Sequence, residues 1–274
     1  MSEAQTAVPG VDPAVPSPAR LYDYYLGGTH NFEADRALAE QLRAQIPDMV
    51  DAVLANRGFH VRAASWMARH GIQQFLDIGS GLPTANNTHE AVQALHPAAR
   101  VVYVDNDPIV GAYANALLAD NGSTALVVAD MRDPEAVLAS PVLHGLLDLS
   151  APVGLLMSAV LHFVPDEGNP WGLVARYVGA IAPGSYLGLS HGTLDRMPPD
   201  QIQAGRDGYA RSSANVYMRS ETDIRRFFDG LELQPPRPGA EPDITFAGLW
   251  GAEDLQAADS DGSRAIYCGV ARKP

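Results

Sequence analysis

The chain has 274 residues, 46% of them hydrophobic and 19% charged, which suits one large globular domain with an appended segment. Its formal charge of −13 argues against an extended nucleic-acid surface, which needs clustered Lys and Arg. A single cysteine, Cys268, excludes an intrachain disulfide framework and a cysteine-cluster metal site.

Residues 1–17 hold Pro9, Pro13 and Pro16 among small residues and are expected to form a disordered arm. They lack a basic start and an apolar stretch, so no secretory signal is expected, and no run of about 18 apolar residues predicts a membrane span. A cytoplasmic location is the resulting expectation. Residues 18–71 are expected to form an N-terminal helical lid. Tyr22, Tyr24 and Tyr25 fall in one helical turn that Gly27 and Gly28 break, and residues 34–46 and 50–69 carry helical patterns, the second stopped by Gly71. Asn56, Arg57 and Arg62 lie on that second helix, where solvation is the plain expectation.

From residue 72 to the end the pattern becomes strand, helix, strand. Residues 75–78, 100–105, 125–129, 153–160 and 185–190 read as strands, apolar throughout rather than alternating, so a parallel sheet covered on both faces is expected. Asp107-Pro108, Asp133-Pro134 and Asn169-Pro170 each pair a capping side chain with a proline at the first helical position. Residues 192–219 are polar and punctuated and read as an insertion that covers a site. Two further strands are expected near 244–249 and 265–271.

The chemistry gathers after the first strand, where Asp77 leads into Gly79-Ser80-Gly81 and the two glycines predict a sharp turn with exposed backbone N–H groups. Asp77, Asp105 and Asp130 close successive strands and so face one rim, where ligands of doubly wound sheets bind. Asp105, 24 residues after Gly81, suits a ribose diol, and Asp130 with the Met131 N–H suits adenine. Two adenosine cofactors compete, a dinucleotide and S-adenosylmethionine. The third glycine of the dinucleotide fingerprint is replaced by Thr84 after Pro83, which weakens pyrophosphate binding, whereas the acids suit a cofactor with an ammonium and a sulfonium.

The chain resembles the class I S-adenosylmethionine-dependent methyltransferases, specifically an actinobacterial group long catalogued as a domain of unknown function. The resemblance runs from about residue 17 to the C-terminus. It rests on Ala19-Arg20-Leu21-Tyr22-Asp23-Tyr24-Tyr25-Leu26-Gly27-Gly28, Asn56-Arg57-Gly58-Phe59, residues 74–84, Val102-Tyr103-Val104-Asp105-Asn106-Asp107-Pro108, Leu161-His162-Phe163-Val164 and residues 184–191. It implies a Rossmann-like sheet of seven strands with the last antiparallel. It also implies that Asp77, Gly79 and Gly81 hold the methionine part, Asp105 the ribose, and Asp130 with Met131 the adenine; Ser80, Asn106 and Ser158 join that cofactor set.

Methyl transfer is an in-line displacement that needs alignment, a dry pocket and sometimes a base. His162 and His191, after the fourth and fifth strands, are the candidate bases; backbone hydrogen bonding is the plainer role for each. Tyr22, Tyr25, Asn31 and Arg57 are expected on the lid, with Tyr209 and Tyr217 on an opposite wall. The Asn-Pro-Pro-Tyr type of signature is missing after the fourth strand, which with the acidity favours a small-molecule acceptor over nucleic acid. A non-catalytic cofactor-binding sensor is the main rival, and a nicotinamide oxidoreductase the lesser one. Oligomeric state is not legible, and no metal is expected.

Overall fold

A computed structural model of the chain describes residues 8–83, 86–118 and 121–274. Three helices come first: α1 (Pro18–Tyr25), α2 (Glu33–Gln45) and α3 (Met49–Arg69). Ser17 caps α1 by accepting the Arg20 N–H, and the chain leaves α1 through Gly27 at φ 79°. Then β1 (Gln74–Ile78), α4 (Thr88–Gln93), β2 (Arg100–Asp105), α5 (Pro108–Leu118) and β3 (Thr124–Val128) alternate. After them come α6 (Pro134–Leu138), α7 (Pro141–Leu146), β4 (Gly154–Ser158), α8 (Pro170–Ala180), β5 (Tyr186–Gly192) and α9 (Pro199–Tyr209). The chain ends with α10 (Glu221–Arg225), β6 (Glu232–Leu233), β7 (Thr245–Phe246), α11 (Leu255–Ala258) and β8 (Ile266–Arg272).

The sheet runs β3-β2-β1-β4-β5-β8-β6, with β7 also paired to β8. The first five strands are parallel and β8 runs antiparallel to β5, from Tyr186 opposite Arg272 to Gly192 opposite Ile266. The doubly wound sheet with a final antiparallel strand is therefore present, with eight strands among the described residues rather than seven. The strand expected near 244–249 shrinks to the two residues of β7, and β6 is an equally short addition.

Strand order reverses between β1 and β4, so a crevice opens beyond their carboxyl ends. Successive strand residues serve opposite faces: Phe75 packs under α3 with Phe59, Ala63 and Met67, while Leu76 packs with Val137, Leu143 and Val174 on the other side. Both faces are dry, which is why β1, β2 and β4 are apolar on both sides apart from Asp77 and the strand ends.

Above the crevice lies a third apolar cluster. Leu21 and Tyr25 of α1 meet Leu38, Ala39 and Leu42 of α2 and Val53 of α3, and Met197, Ala204 and Tyr209 around α9 pack against them. The insertion and the N-terminal helices thus form one continuous roof, not two walls facing each other. Of the arm expected to be disordered over 1–17, residues 1–7 lie outside the described residues, and Val8 and Val11 pack on Leu82, Ile109 and Val110 at the rim. Among the described residues no helix is long and apolar enough to cross a membrane.

Candidate active site

Between rim and roof lies a cavity of about 1260 Å³. Its floor is made by Asp77 near the end of β1 with Gly79, Ser80 and Gly81 after it, by Asp105 at the end of β2 with Asn106 and Asp107 after it, by Asp130 and Met131 after β3, and by Ser158 at the end of β4. Its upper part is lined by Tyr22, Asn56, Arg57, His60, His162, Tyr209 and Tyr217. Most of the residues expected at the site are brought together here.

Gly79 sits at φ 70°, and a Cβ there would lie 2.1 Å from Val160 Cγ2, so only glycine fits. The turn does not leave its N–H groups exposed, contrary to the expectation. Gly79 and Ser80 both donate to the Val104 carbonyl, at 2.8 and 3.2 Å, and Gly81 donates to Asp105 Oδ2 at 2.8 Å. The turn folds back onto the end of β2, where the Val104 carbonyl and the Asp105 carboxylate accept its N–H groups. It is therefore no phosphate cradle; it fixes Asp105 instead. Asp105 also accepts the Asp107 N–H at 2.9 Å, yet burial still pushes its carboxyl up to about 6.

Asp77 is buried and is likewise pushed up to about 6 by loss of water, against the pull of a Thr88 hydrogen bond and the nearby Arg57 charge. Thr88 Oγ1 donates to Asp77 Oδ2 at 2.6 Å, His60 Nε2 lies 2.7 Å from Thr88 Oγ1, and His60 Nδ1 lies 2.9 Å from Ser158 Oγ. Burial holds the His60 imidazole down at about 3, so it is neutral. Neither His60 nor Thr88 was expected at the site. The available signal was Asn56 and His60, one helical turn apart within the apolar stripe Ala52, Phe59, Ala63 and Met67.

A second chain of hydrogen bonds supports the roof. The Ala159 N–H donates to Ser190 Oγ at 3.0 Å, Ser190 Oγ to Asn56 Oδ1 at 2.5 Å, and Asn56 Nδ2 to the Tyr22 hydroxyl at 2.8 Å. Ala159 occupies φ 52°, a left-handed conformation unfavourable for a side chain and held here by that Ser190 bond. Asn56 is thus a buried connector, not a solvated surface group. After β3, Arg132 grips Asp130 with Nε at 2.9 Å and Nη2 at 2.5 Å, which holds the Asp130 carboxyl below its usual range. The Met131 carbonyl accepts the Tyr177 hydroxyl at 2.9 Å.

Three expected site residues lie elsewhere. Tyr25 is buried in the roof, its hydroxyl donating to the Ala39 carbonyl at 3.2 Å. Asn31 donates to Asp23 Oδ2 at 2.8 Å, the carboxylate around which the Gly27–Asn31 loop is wound; a Cβ on Gly28 would lie 2.0 Å from Asp23 Oδ1. His191 is fully buried, with Nδ1 2.7 Å from the Gly192 carbonyl and Nε2 2.7 Å from the Arg219 guanidinium. An arginine can only donate, so Nε2 accepts, Nδ1 carries the proton, and no lone pair is left for a substrate. His162 does line the cavity, with its Nδ1 buried and unpartnered. Burial and the Arg219 charge push it down to about 3, so it is poorly suited to store a proton near neutral pH.

The chain as a whole is similar to known proteins. A family model described as S-adenosyl methyltransferase matches residues 4–274. A solved candidate methyltransferase from Thermobifida fusca is 38% identical with a TM-score of 0.88, the alignment covering 97% of this chain and 97% of that one. A DUF574 family protein from Streptomyces avermitilis is 40% identical with a TM-score of 0.88, covering 96% of this chain and 99% of that one. A comparison with curated proteins gave no match. With S-adenosyl-L-methionine as its cofactor, the chain belongs to the S-adenosyl methyltransferase family.

Proposed function

We propose that the protein methylates oxygen or nitrogen on a small molecule of natural-product type, bound beneath the roof formed by α1, α2 and α9. The observation that carries this is the cavity: at about 1260 Å³ it exceeds the roughly 300–1,000 Å³ typical of a single small-ligand site, leaving room for an acceptor beside the cofactor. Its roof is aromatic and apolar around Tyr22, Phe163, Met197, Tyr209 and Tyr217, surfaces suited to stacking on a flat acceptor.

The residues fit the cofactor part by part. Asp77 and Ser158 would meet the methionine ammonium, the Arg57 guanidinium its carboxylate, Asp105 the ribose hydroxyls, and Asp130 with Asn106 and Met131 the adenine. The bound cofactor supplies an electrophilic methyl on a sulfonium. The protein's part is alignment and exclusion of water, with His162 holding the acceptor by a hydrogen bond. With the conjugate acid of His162 near 3, little driving force exists for proton uptake there. An amine or an already ionised phenol therefore suits the site better than an aliphatic alcohol.

Transfer of a labelled methyl group across a panel of phenols, amines and alcohols tests this, with Asp105→Ala as the cofactor-binding control. Label in phenols or amines that vanishes in the control supports the reading. Tight cofactor binding with no transfer to any of them favours a sensor.

A further inference from the structure

The side chains of Ser158, His60, Thr88 and Asp77 come from β4, α3, α4 and β1 and meet only in the folded protein. His60, Thr88 and Asp77 are buried, and consecutive partners lie 2.9, 2.7 and 2.6 Å apart. Hydrogen-bond chemistry gives this chain a direction. An ionised Asp77 can only accept, so the Thr88 hydroxyl spends its proton there. Thr88 Oγ1 then accepts from His60, which places the imidazole proton on Nε2. Nδ1 is left bare and must accept from the Ser158 hydroxyl. Ser158 Oγ therefore turns only lone pairs toward the cavity, beside the acceptor-only Asp77.

We infer that His60 is a positioning residue which, through Thr88 and Ser158, sets a pair of acceptors that select the cofactor's α-ammonium group. This rests on the cavity being the cofactor site. Two acceptors lining one cavity match a group with several N–H donors and a positive charge, and a ligand that lacks it would leave the Ser158 oxygen and one Asp77 oxygen short of a donor. No other charge is needed: His60 is neutral, and Arg57, the cation nearest Asp77, is of the wrong sign to hold an ammonium.

The test uses S-adenosylhomocysteine and its analogue with hydrogen in place of the α-amino group, titrated calorimetrically into the full chain. Wild type is expected to bind the amino compound about a hundredfold more tightly. Ser158→Ala and His60→Leu should each cut that ratio about tenfold while changing affinity for the deaminated analogue less than about threefold. A general loss of structure would weaken both ligands alike. Because His60→Leu can fail to fold, nitrogen NMR of the wild-type complex gives an independent reading: the proton is expected on Nε2 of His60. A proton on Nδ1, or a ratio unchanged in Ser158→Ala, overturns the inference. Equal binding of both ligands by wild type overturns it while leaving the cofactor site standing. Binding of neither overturns the site assignment and the inference with it.

Discussion

At the scale of single residues, the two buried acids make the site sensitive to pH. The Asp77 and Asp105 carboxyls are raised by burial from an unfolded value near 3.8 to about 6. Between those values the folded protein holds more protons than the unfolded chain, so these groups reduce stability as pH rises from about 4 to 6, and the loss is complete above that. A bound ammonium reverses the preference at Asp77, because it favours the ionised carboxylate. The groups facing Asp77 are His60 and Arg57 from α3, Thr88 from α4 and Tyr103 from β2. His60, held near 3, contributes no titration in this range. Affinity for S-adenosylhomocysteine is expected to weaken about tenfold per unit below pH 6 and to level off above pH 7. Calorimetry from pH 5 to 8 checks it; a flat profile would mean that Asp77 carries no ligand charge. His191 gives the opposite kind of prediction. With both ring nitrogens committed inside the protein, His191→Gln is expected to lower thermal stability but to keep cofactor affinity within about threefold. A selective collapse of methyl transfer at unchanged cofactor affinity would restore His191 as a base.

Among the elements, legibility followed the physics that makes each one. Strands β1, β2 and β4 were readable because burial on both faces requires near-continuous apolar runs. Helices α5, α6 and α8 were readable because their start signals are local: Asp107, Asp133 and Asn169 each cap the helix that a proline opens. A similar residue pair, Ser140-Pro141, opens α7 without a side-chain cap and was overlooked, and the two-residue β6 and β7 each pair with β8. The floor acids were legible for the strand-end reason, whereas the relay was not, since 98 residues separate His60 from Ser158. Arg219 shows how a polar residue near a site can serve an element instead. It donates to the Leu161 and Val164 carbonyls at 3.1 and 2.7 Å, contacts Asp166 and His191, and lies under Trp171 and Phe227. It pins the turn after β4 to the end of β5. Arg219→Met leaves those buried carbonyls without a donor and is expected to destabilise the fold by about 3 kcal/mol in a denaturant titration.

The roof is an element pair with its own latch. Ser17 donates to Asp107 Oδ2 at 2.7 Å, and Arg20, buried and paired to Asp35 at 2.8 Å, lies 4.0 Å from the same Asp107 oxygen. The N-terminal segment is thus tied to the loop that follows Asp105. Ser17→Ala removes one of these ties without leaving a buried charge unpaired, and is expected to raise the cofactor's dissociation rate severalfold with little effect on its association rate. Stopped-flow displacement measures both. Unchanged dissociation would show that the roof does not gate the cofactor.

For the molecule as a whole, the cavity joins distant parts of the sequence: the sheet's rim, α1, α3 and the insertion carrying α9 all contribute lining. A ligand that bridges them should stabilise the folded state in proportion to its saturation, by about 2.7 kcal/mol at a hundred times its dissociation constant. For a chain of this size that corresponds to a rise in melting temperature of roughly 5–10 °C. S-adenosylhomocysteine is expected to give such a shift and to slow hydrogen exchange in α1 and α2 as well as at the floor. NAD is expected to give none, because the N–H groups of Gly79, Ser80 and Gly81 already bond to Val104 and Asp105 and cannot receive a pyrophosphate. A larger shift with NAD than with S-adenosylhomocysteine would mean that this turn opens in solution, and that the carboxylates rather than the backbone are free to move.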